Sequence, residues 1–327
     1  MARNSNLREA KKGKNDEFYT QLQDIVDEIA QHSDYVKQFE GKTILMNCDD
    51  PEWSAFVEFF RKFFKKLKLK KIIATHYNPD GSPSYKLEWY GEKIHGDTVN
   101  MIKTPLKGNG DFRSEECIEL LKEADIICTN PPFSLFRQFL SLLMEYNKKF
   151  LVIGNMNAIT YKEVFPLIKE NKLWLGYNYV KEFIQPDGTI KKFGNILWYT
   201  NLDIDKRHEP LILTKNYKGN EDRYPKYDNY DAINCDKVAD IPKDYFGPIG
   251  VPVTFTQYFV PSQFKIIGFF NNYNPKTAGK AQIYGDAVHI DSTKSLFRGP
   301  VVNGKAKYFR ILIQRVPEKR ERNRQEE

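Results

Sequence analysis

The sequence predicts an α/β fold in which a mostly parallel sheet carries helices on both faces. Short apolar runs alternate with segments whose apolar residues recur at helical spacing, each run stops abruptly in polar and turn-forming residues, and helical spacing fades beyond about residue 206. Strands buried on both faces read as near-continuous apolar runs, and alternation of strand with helix marks βαβ units. In such sheets ligands bind in a crevice outside the carboxyl ends of the strands, so the residues that end each run carry the chemical information.

Composition narrows the class. The chain has 327 residues, of which 41% are hydrophobic, 14% aromatic and 28% charged, as expected for a globular protein rather than a disordered or fibrous one. A formal charge of +7 suits a polyanionic partner without requiring one. No apolar run approaches the roughly 18 residues of a membrane span, and the basic N-terminus lacks the apolar centre of a signal peptide, so a cytoplasmic location is expected. Cys48, Cys117, Cys128 and Cys235 form no CxxC pair and the five histidines are scattered. The cysteines are expected to be reduced and mostly buried, and no metal site is expected.

Taken in order, residues 1–14, with Lys11, Lys12 and Lys14, predict a flexible basic arm. A first helix is expected from residue 24, before the buried strand Thr43–Met46. That strand ends in Asn47, Cys48, Asp49, Asp50 and Pro51, and Trp53, Phe56, Val57, Phe60, Phe63 and Phe64 then recur at helical spacing. A second strand, Lys71–Thr75, is closed by the turn residues Tyr77, Asn78, Pro79, Asp80 and Gly81. After a polar stretch, Ser114 is placed to cap a helix over 114–124. A strand at 125–128, a helix at 135–146 and a strand at 149–153 follow, then a helix at 163–169 and a hairpin within 183–199 around Pro186, Asp187 and Gly188. The remaining third is loop-rich with short strands, among them a hairpin at Asn303 and Gly304, a last strand at 308–313 and a charged tail at 318–327.

The most informative segment is Thr129, Asn130, Pro131, Pro132 and Phe133, directly after a buried strand. An aromatic exocyclic amine is a poor nucleophile because its lone pair is delocalised into the ring. Two acceptors that each take one N–H turn that lone pair outward. The Asn130 carboxamide oxygen and the Pro131 carbonyl are such acceptors, the prolines stiffen the turn that aims them, and Phe133 is expected to stack on the target base. A base reaches such a pocket only by leaving the duplex, at a cost of a few kcal/mol that stacking partly offsets. The same constellation suits adenine N6, cytosine N4, an RNA adenine or a glutamine amide, and a rival of another class is a DNA-binding module without methyl transfer.

With this motif in place the chain resembles the adenine-specific DNA methyltransferases of the EcoRI modification methylase family. Residues 16–20, which include Phe18, Tyr19 and Thr20, are similar to the family's N-terminal cofactor motif, Asn47 to Pro51 to its first strand-end motif, and Gly110, Asp111, Phe112 and Arg113 to its adenosine-binding motif. Segments 159–163, 169–176, 224–234 and 308–313 are similar as well, so the resemblance spans nearly the whole chain. It implies a Rossmann-like, S-adenosylmethionine-dependent methyltransferase fold with a seven-stranded sheet and a reversed final hairpin. It also implies a catalytic domain at 15–205, a target-recognition region at 206–317, double-stranded DNA as substrate in a type II restriction-modification setting, and a monomer.

Within that frame the cofactor roles follow chemically. Asp49 or Asp50 is expected to face the methionine part, Tyr19 and Thr20 its carboxylate, Asp111 the cofactor's adenine amine and Phe112 its ring. Two departures stand out: Asn47 to Pro51 lacks a glycine-rich loop, and no acidic residue directly follows Lys71–Thr75 to bind the ribose, leaving His76, Asn78 or Asp80 as alternatives. In the last third, Asn271, Asn272 and Asn274 are candidate base readers, and Lys276, Lys280, Lys294, Arg298, Lys305 and Arg310 candidate DNA contacts.

Overall fold

The computed structural model describes residues 19–48, 50–91, 93–94, 97–98, 101–184, 188–270 and 299–317. The predicted arm at 1–14 and tail at 318–327 lie outside these. The chain divides into two compact units, Met1–Ala158 with Leu175–Ile204, and Ile159–Trp174 with Asp205–Glu327.

The first unit is built on a sheet whose strands are, in chain order, β1 (Tyr19–Thr20), β2 (Thr43–Met46), β3 (Lys71–Thr75), β4 (Tyr85–Trp89), β7 (Ile102–Pro105), β8 (Ile126–Thr129), β9 (Lys149–Asn155), β10 (Trp174–Ile184) and β11 (Ile190–Thr200). Between β4 and β7, β5 (Lys93–Ile94) and β6 (Asp97–Thr98) pair as a separate ribbon. The spatial order is β1-β10-β11-β9-β8-β2-β3-β4-β7. Its centre is parallel, β3 beside β2, β2 beside β8 and β8 beside β9. Antiparallel strands extend it on both sides.

Among the described residues the sheet thus holds nine strands rather than the expected seven, with β1 and β7 at its edges. The polar stretch after Gly81 is the source of β4 and β7. Only residues 76–84 separate β3 from β4, too few for the crossover of a dozen or more residues that a parallel neighbour needs, so β4 turns back antiparallel.

Helices cover both faces. The helix Ala55–Lys62, capped by Ser54 Oγ accepting from Phe56 and Val57 N–H, sets Phe56 against Trp198. The helix Phe136–Glu145 sets Phe136 against Tyr199. Trp198 and Tyr199 are neighbours on β11 and therefore point to opposite faces. The predicted Ser114 cap is present, its Oγ accepting from Cys117 N–H at 3.3 Å. Cys117, Cys128 and Cys235 are buried, Cys48 is partly exposed, and all four are free thiols.

The N-terminal segment differs from the single helix expected: Leu22–Ile25 runs into a π-helical turn, Val26–Ala30, before the helix Ser33–Phe39. The π turn carries Glu28, which is wholly buried. Its carboxylate accepts from Tyr35 Oη at 3.0 Å and from the backbone N–H groups of Tyr177 and Asn178 at 2.9 Å each. A buried charge needs such a set of donors, and together they tie the segment after β1 to β10.

The second unit contains β12 (Lys226–Tyr227), β13 (Tyr230–Asn234), β14 (Ile249–Pro252), β15 (Phe264–Phe269), β16 (Val301–Val302), β17 (Lys305–Ala306) and β18 (Arg310–Arg315). Five of them form a sheet in the order β12-β13-β14-β18-β15, over a core of Tyr227, Ala232, Phe270, Val302 and Leu312. The short helix Phe165–Lys169 belongs here, with Phe165 edge-on to Phe269. The predicted Asn303–Gly304 turn joins β16 to β17 with φ of 50° and 70°, as a two-residue hairpin turn requires. Asp228 secures it by accepting from the N–H groups of both residues. The last strand starts at Arg310, two residues beyond its expected start.

Candidate active site

Chain order reverses between β2 and β8: from β2 the chain moves outward to β3 on one side, and from β8 to β9 on the other. A crevice therefore opens at the carboxyl ends of these two strands. The predicted Asn47, Thr129 and Asn130 converge there, together with the ends of β3 and β9. Asn47 follows β2, Thr129 and Asn130 end β8, Asn155 ends β9 and Thr75 ends β3, and all five are buried. Asn47 Nδ2, Thr75 Oγ1, Thr129 Oγ1 and Asn155 Nδ2 have no hydrogen-bond partner among the described residues. Each such orphan costs about 1–3 kcal/mol, and a row of them at one edge of a sheet indicates a ligand that supplies the missing partners.

Asn130 and Pro131 are buried, and Pro132 and Phe133 half-buried. The Pro132 carbonyl accepts from Leu135 N–H at 2.9 Å, which closes the turn into the helix Phe136–Glu145, whereas no backbone bond among the described residues uses the Pro131 carbonyl. Of the two proline carbonyls in the motif, the one predicted to grip an amine is the one that no backbone N–H takes among the described residues. Phe133 stands edge-on to Phe183 and Phe193 at 6.1 and 6.4 Å, on the two strands of the β10–β11 hairpin. Thr20 pairs with Phe183 in the β1–β10 register, which brings the N-terminal motif alongside the Phe133 cluster. Thr20 Oγ1 is a further buried hydroxyl without a partner among the described residues. Tyr19 lies on β1 opposite Ile184, while Phe18 and Asp49 lie outside the described residues.

Asp50 and the turn after β3 meet at the crevice. Asp50 Oδ1 accepts from Glu52 N–H at 3.0 Å, and its Oδ2 lies 3.9 Å from His76 Nε2. Ser84 Oγ donates its single proton to the His76 carbonyl at 2.7 Å, so toward Nδ1, 2.8 Å away, it accepts. A proton of the imidazole therefore sits on Nδ1, and Nε2 faces Asp50 Oδ2. Asn78 donates to the Ser82 and Pro83 carbonyls and Asp80 accepts from Ser82 N–H. Both side chains are thus engaged in their own turn, and of the three alternatives only His76 faces the crevice residue Asp50.

The 108–112 loop is stitched to this turn by Asn78 N–H to the Asn109 carbonyl and Ser84 N–H to the Gly108 carbonyl, at 2.8 and 2.9 Å. A Cβ at Gly110, whose φ is +81°, would collide with the His76 carbonyl oxygen, so this approach requires glycine. Asp111 is held by Arg113, which bonds both carboxylate oxygens and keeps the carboxyl below its usual range. Asp111 is thus an ionised acceptor. Phe112 is buried with its ring edge-on to Phe139 of the helix Phe136–Glu145.

Outside the crevice, Arg310 is directed inward. Its donors go to Asn234, Asp236 and the carbonyls of Tyr308 and Phe309, which leaves it structural rather than exposed to DNA. Lys305 is exposed on β17. Asn271, Asn272, Asn274, Lys276, Lys280, Lys294 and Arg298 lie outside the described residues.

Comparison with known proteins decides the family. The profile of the adenine-specific methyltransferase EcoRI family matches residues 6–316. The chain belongs to the EcoRI adenine-specific methyltransferase family. It is 44% identical to the type II methyltransferase M.EcoRI of Escherichia coli, over 96% of this chain and 98% of that one. It is 40% identical to the type II methyltransferase M.MpnI of Mycoplasma pneumoniae, over 93% and 96% of the two chains. M.MgeORF184P of Mycoplasma genitalium is likewise 40% identical, over 94% and 97%. No solved structure matches the chain.

Three contributors in this EcoRI-family chain escaped the sequence reading. Asn155 Oδ1 accepts from Asn157 N–H at 2.8 Å and Asn195 Nδ2 at 3.2 Å, so its amide nitrogen is turned away from them. Tyr199 Oη donates to the Asn155 carbonyl at 2.8 Å. Gly154 admits the rings of Phe136 and Tyr199, which a Cβ would meet at 2.6 and 2.9 Å. The available signal was positional: Gly154 and Asn155 end a buried strand beside the one that ends in Asn130.

Proposed function

We propose that this site-specific DNA methyltransferase of the restriction-modification kind grips the N6 amine of a flipped-out adenine with Asn130 Oδ1 and the Pro131 carbonyl. The observation that supports it best is the unused Pro131 carbonyl beside Asn130, amid orphaned polar atoms at the β2–β8 switch point. Two acceptors on the two N–H bonds turn the amine's lone pair out of the ring plane, so that nitrogen attacks along the line of the donor bond. Phe133, held by Phe183 and Phe193, offers an aromatic face to the extruded base. The amine proton becomes acidic as the new N–C bond forms and leaves to water, so no strong base is required.

S-adenosylmethionine, when bound, supplies the sulfonium methyl. The residues present fit it. With the His76 ring neutral, its Nε2 and Oδ2 of Asp50 are two acceptors with no hydrogen bond between them, which suits the two donors of a ribose diol. Asp111, fixed by Arg113, accepts the adenine amine, with Phe112 packed behind the loop. Thr20 and Asn47 offer buried polar atoms to the methionine part, with Phe18, Tyr19 and Asp49 as their sequence neighbours. The region from residue 206 to 317 recognises the target. One methyl per replicated strand suffices, so the enzyme acts as a monomer, which sedimentation velocity checks.

Asn130→Ala tests the central claim. Loss of one group aimed at the reacting centre is expected to lower kcat roughly 10²–10³-fold. Calorimetric affinity for S-adenosylhomocysteine should stay within about twofold, since Asn130 addresses the other substrate. Parent-level turnover would overturn the assignment. Mass analysis of digested product finding methylated cytosine would overturn the choice of base.

A further inference from the structure

The second unit contains a pocket of about 240 Å³, whose lining includes Lys215, Arg223, Tyr224, Asn234, Asp236 and Asp240. Some of these groups are already saturated. Asn234 Oδ1 accepts from Tyr227 Oη at 2.8 Å and Arg310 Nε at 3.3 Å, and its Nδ2 donates to Asp236 at 3.1 Å. Asp236 is paired with Lys307 at 3.0 Å and Arg310 at 2.8 Å. Asn234 and Asp236 therefore build the wall and offer little to a ligand.

Lys215 and Arg223 differ. Neither side chain has an ion pair or hydrogen bond among the described residues. Their backbones are nevertheless fixed, Lys215 by its carbonyl accepting from Lys243 N–H at 2.9 Å and Arg223 by its N–H donating to the Asn220 carbonyl at 3.0 Å. Around the pocket, Lys215, Arg223, Lys307 and Arg310 stand against Asp236 and Asp240, so the site is net positive. Two unpaired cations, on held backbone, lining a concave, positive site are a complement for a tetrahedral anion.

We propose that this pocket binds a backbone phosphodiester of the DNA substrate, held by Lys215 and Arg223. The inference rests on the DNA methyltransferase reading above. It assigns these residues to positioning the duplex and not to reading its sequence, because phosphate contacts carry no sequence information.

The test is DNA binding by the full chain, followed by fluorescence anisotropy across a salt series, for a duplex that the parent methylates and for one that it does not. Two phosphate contacts contribute about 2 to the slope of log affinity against log salt. The double variant Lys215→Ala with Arg223→Ala should lose that slope and bind both duplexes about 50-fold more weakly near 0.1 M salt. The charge-conserving pair Lys215→Arg with Arg223→Lys should keep the parent slope. Melting temperature and S-adenosylhomocysteine affinity should be those of the parent. An unchanged slope, or a loss confined to the methylated duplex, would overturn the proposal. So would calorimetry in which inorganic phosphate binds the parent, and not the double variant, while the DNA slope is unaffected: the pocket would then serve a free anion. A parent chain that transfers no methyl group to DNA would instead refute the proposed function.

Discussion

Gly154→Ala isolates the link between the sheet and the catalytic turn. The added Cβ would stand 2.6 and 2.7 Å from two ring carbons of Phe136 and 2.9 Å from one of Tyr199, where carbon atoms normally keep about 3.5–4.0 Å. Neither ring has open space to enter. Both are buried, they pack on each other with centroids 5.1 Å apart, and Tyr199 is tethered through its hydroxyl to the Asn155 carbonyl. Overpacking of this kind costs about 1–3 kcal/mol. For a chain of this size the melting temperature should fall by roughly 3–8 °C. Phe136 is the first residue of the helix after the Asn130 to Phe133 turn, so a displaced ring moves the turn with it. A shift near 1 Å in a positioning element costs about 10²-fold in rate, and kcat is expected to fall roughly 10- to 100-fold with S-adenosylhomocysteine affinity nearly unchanged. Labelled methyl incorporation into duplex DNA and thermal melting read the two effects. A smaller ring site, Phe136→Leu, should restore part of the lost rate in the double variant. Parent kcat in Gly154→Ala despite a lowered melting temperature would refute the coupling.

Three further outcomes follow from individual side chains. His76→Phe keeps a ring for stacking on Tyr85, 4.9 Å away, but removes Nε2; S-adenosylhomocysteine should bind about tenfold more weakly by calorimetry, and equal binding would exclude His76 as a ribose partner. Burial, with Asp27 and Glu182 nearby and Lys181 opposing, raises the Asp24 carboxyl to about 6. A raised folded-state pKa gives stability that is complete below the unfolded value of 3.8 and lost as pH rises through about 6. Asp24→Asn should therefore gain on the parent between pH 4 and 7, by about 1 kcal/mol once partial exposure is discounted, and a pH-independent difference in melting would refute this. Arg310→Met should destabilise the second unit by about 2–3 kcal/mol, because it strips a buried partner from Asp236 and Asn234. Despite partial burial, hydrogen bonds from Asn234, Lys307 and Arg310 hold Asp236 down to about 2. Its stabilisation is present above the unfolded value and lost as pH falls through about 2, so the deficit should shrink in strong acid.

What the sequence revealed followed from how local each cause is. Thr43–Met46 and Lys71–Thr75 coincide with the observed strands because both are buried along their whole length, which writes an uninterrupted apolar run. Ser114 and the Asn303–Gly304 turn were legible because a cap and a hairpin turn are set by residues two or three positions apart. Tyr85–Trp89 was not, since its first residues are half-exposed and Lys86 and Glu88 interrupt the apolar signal. The two-residue β1 exists only through its pairing with Ile184 and Phe183, far along the chain. The burial of Glu28 has no local signal, because its donors come from Tyr35, Tyr177 and Asn178. The pairing of Asp111 with Arg113, two residues away, was locally available, but a loop sequence does not say whether such neighbours face each other.

The candidate site was legible for a further reason. Other buried polar groups of the first unit find partners supplied by distant elements, as Lys71 does with Glu88 and Glu123, although the indole nitrogens of Trp89 and Trp198 do not. At the carboxyl ends of β2, β3, β8 and β9 the polar side chains remain unsatisfied within the described residues. A fold stabilised only by its own contacts gains nothing from four such groups at one sheet edge, where apolar residues would cost less. The sequence breaks its local rules where the structure lacks internal compensation, as expected of positions kept for a ligand rather than for folding. Replacing Thr129 with Val should then be neutral or stabilising in melting while weakening S-adenosylhomocysteine or DNA binding. If Thr129→Val instead lowers the melting temperature and leaves both ligands unaffected, the polar row is structural and the crevice assignment fails.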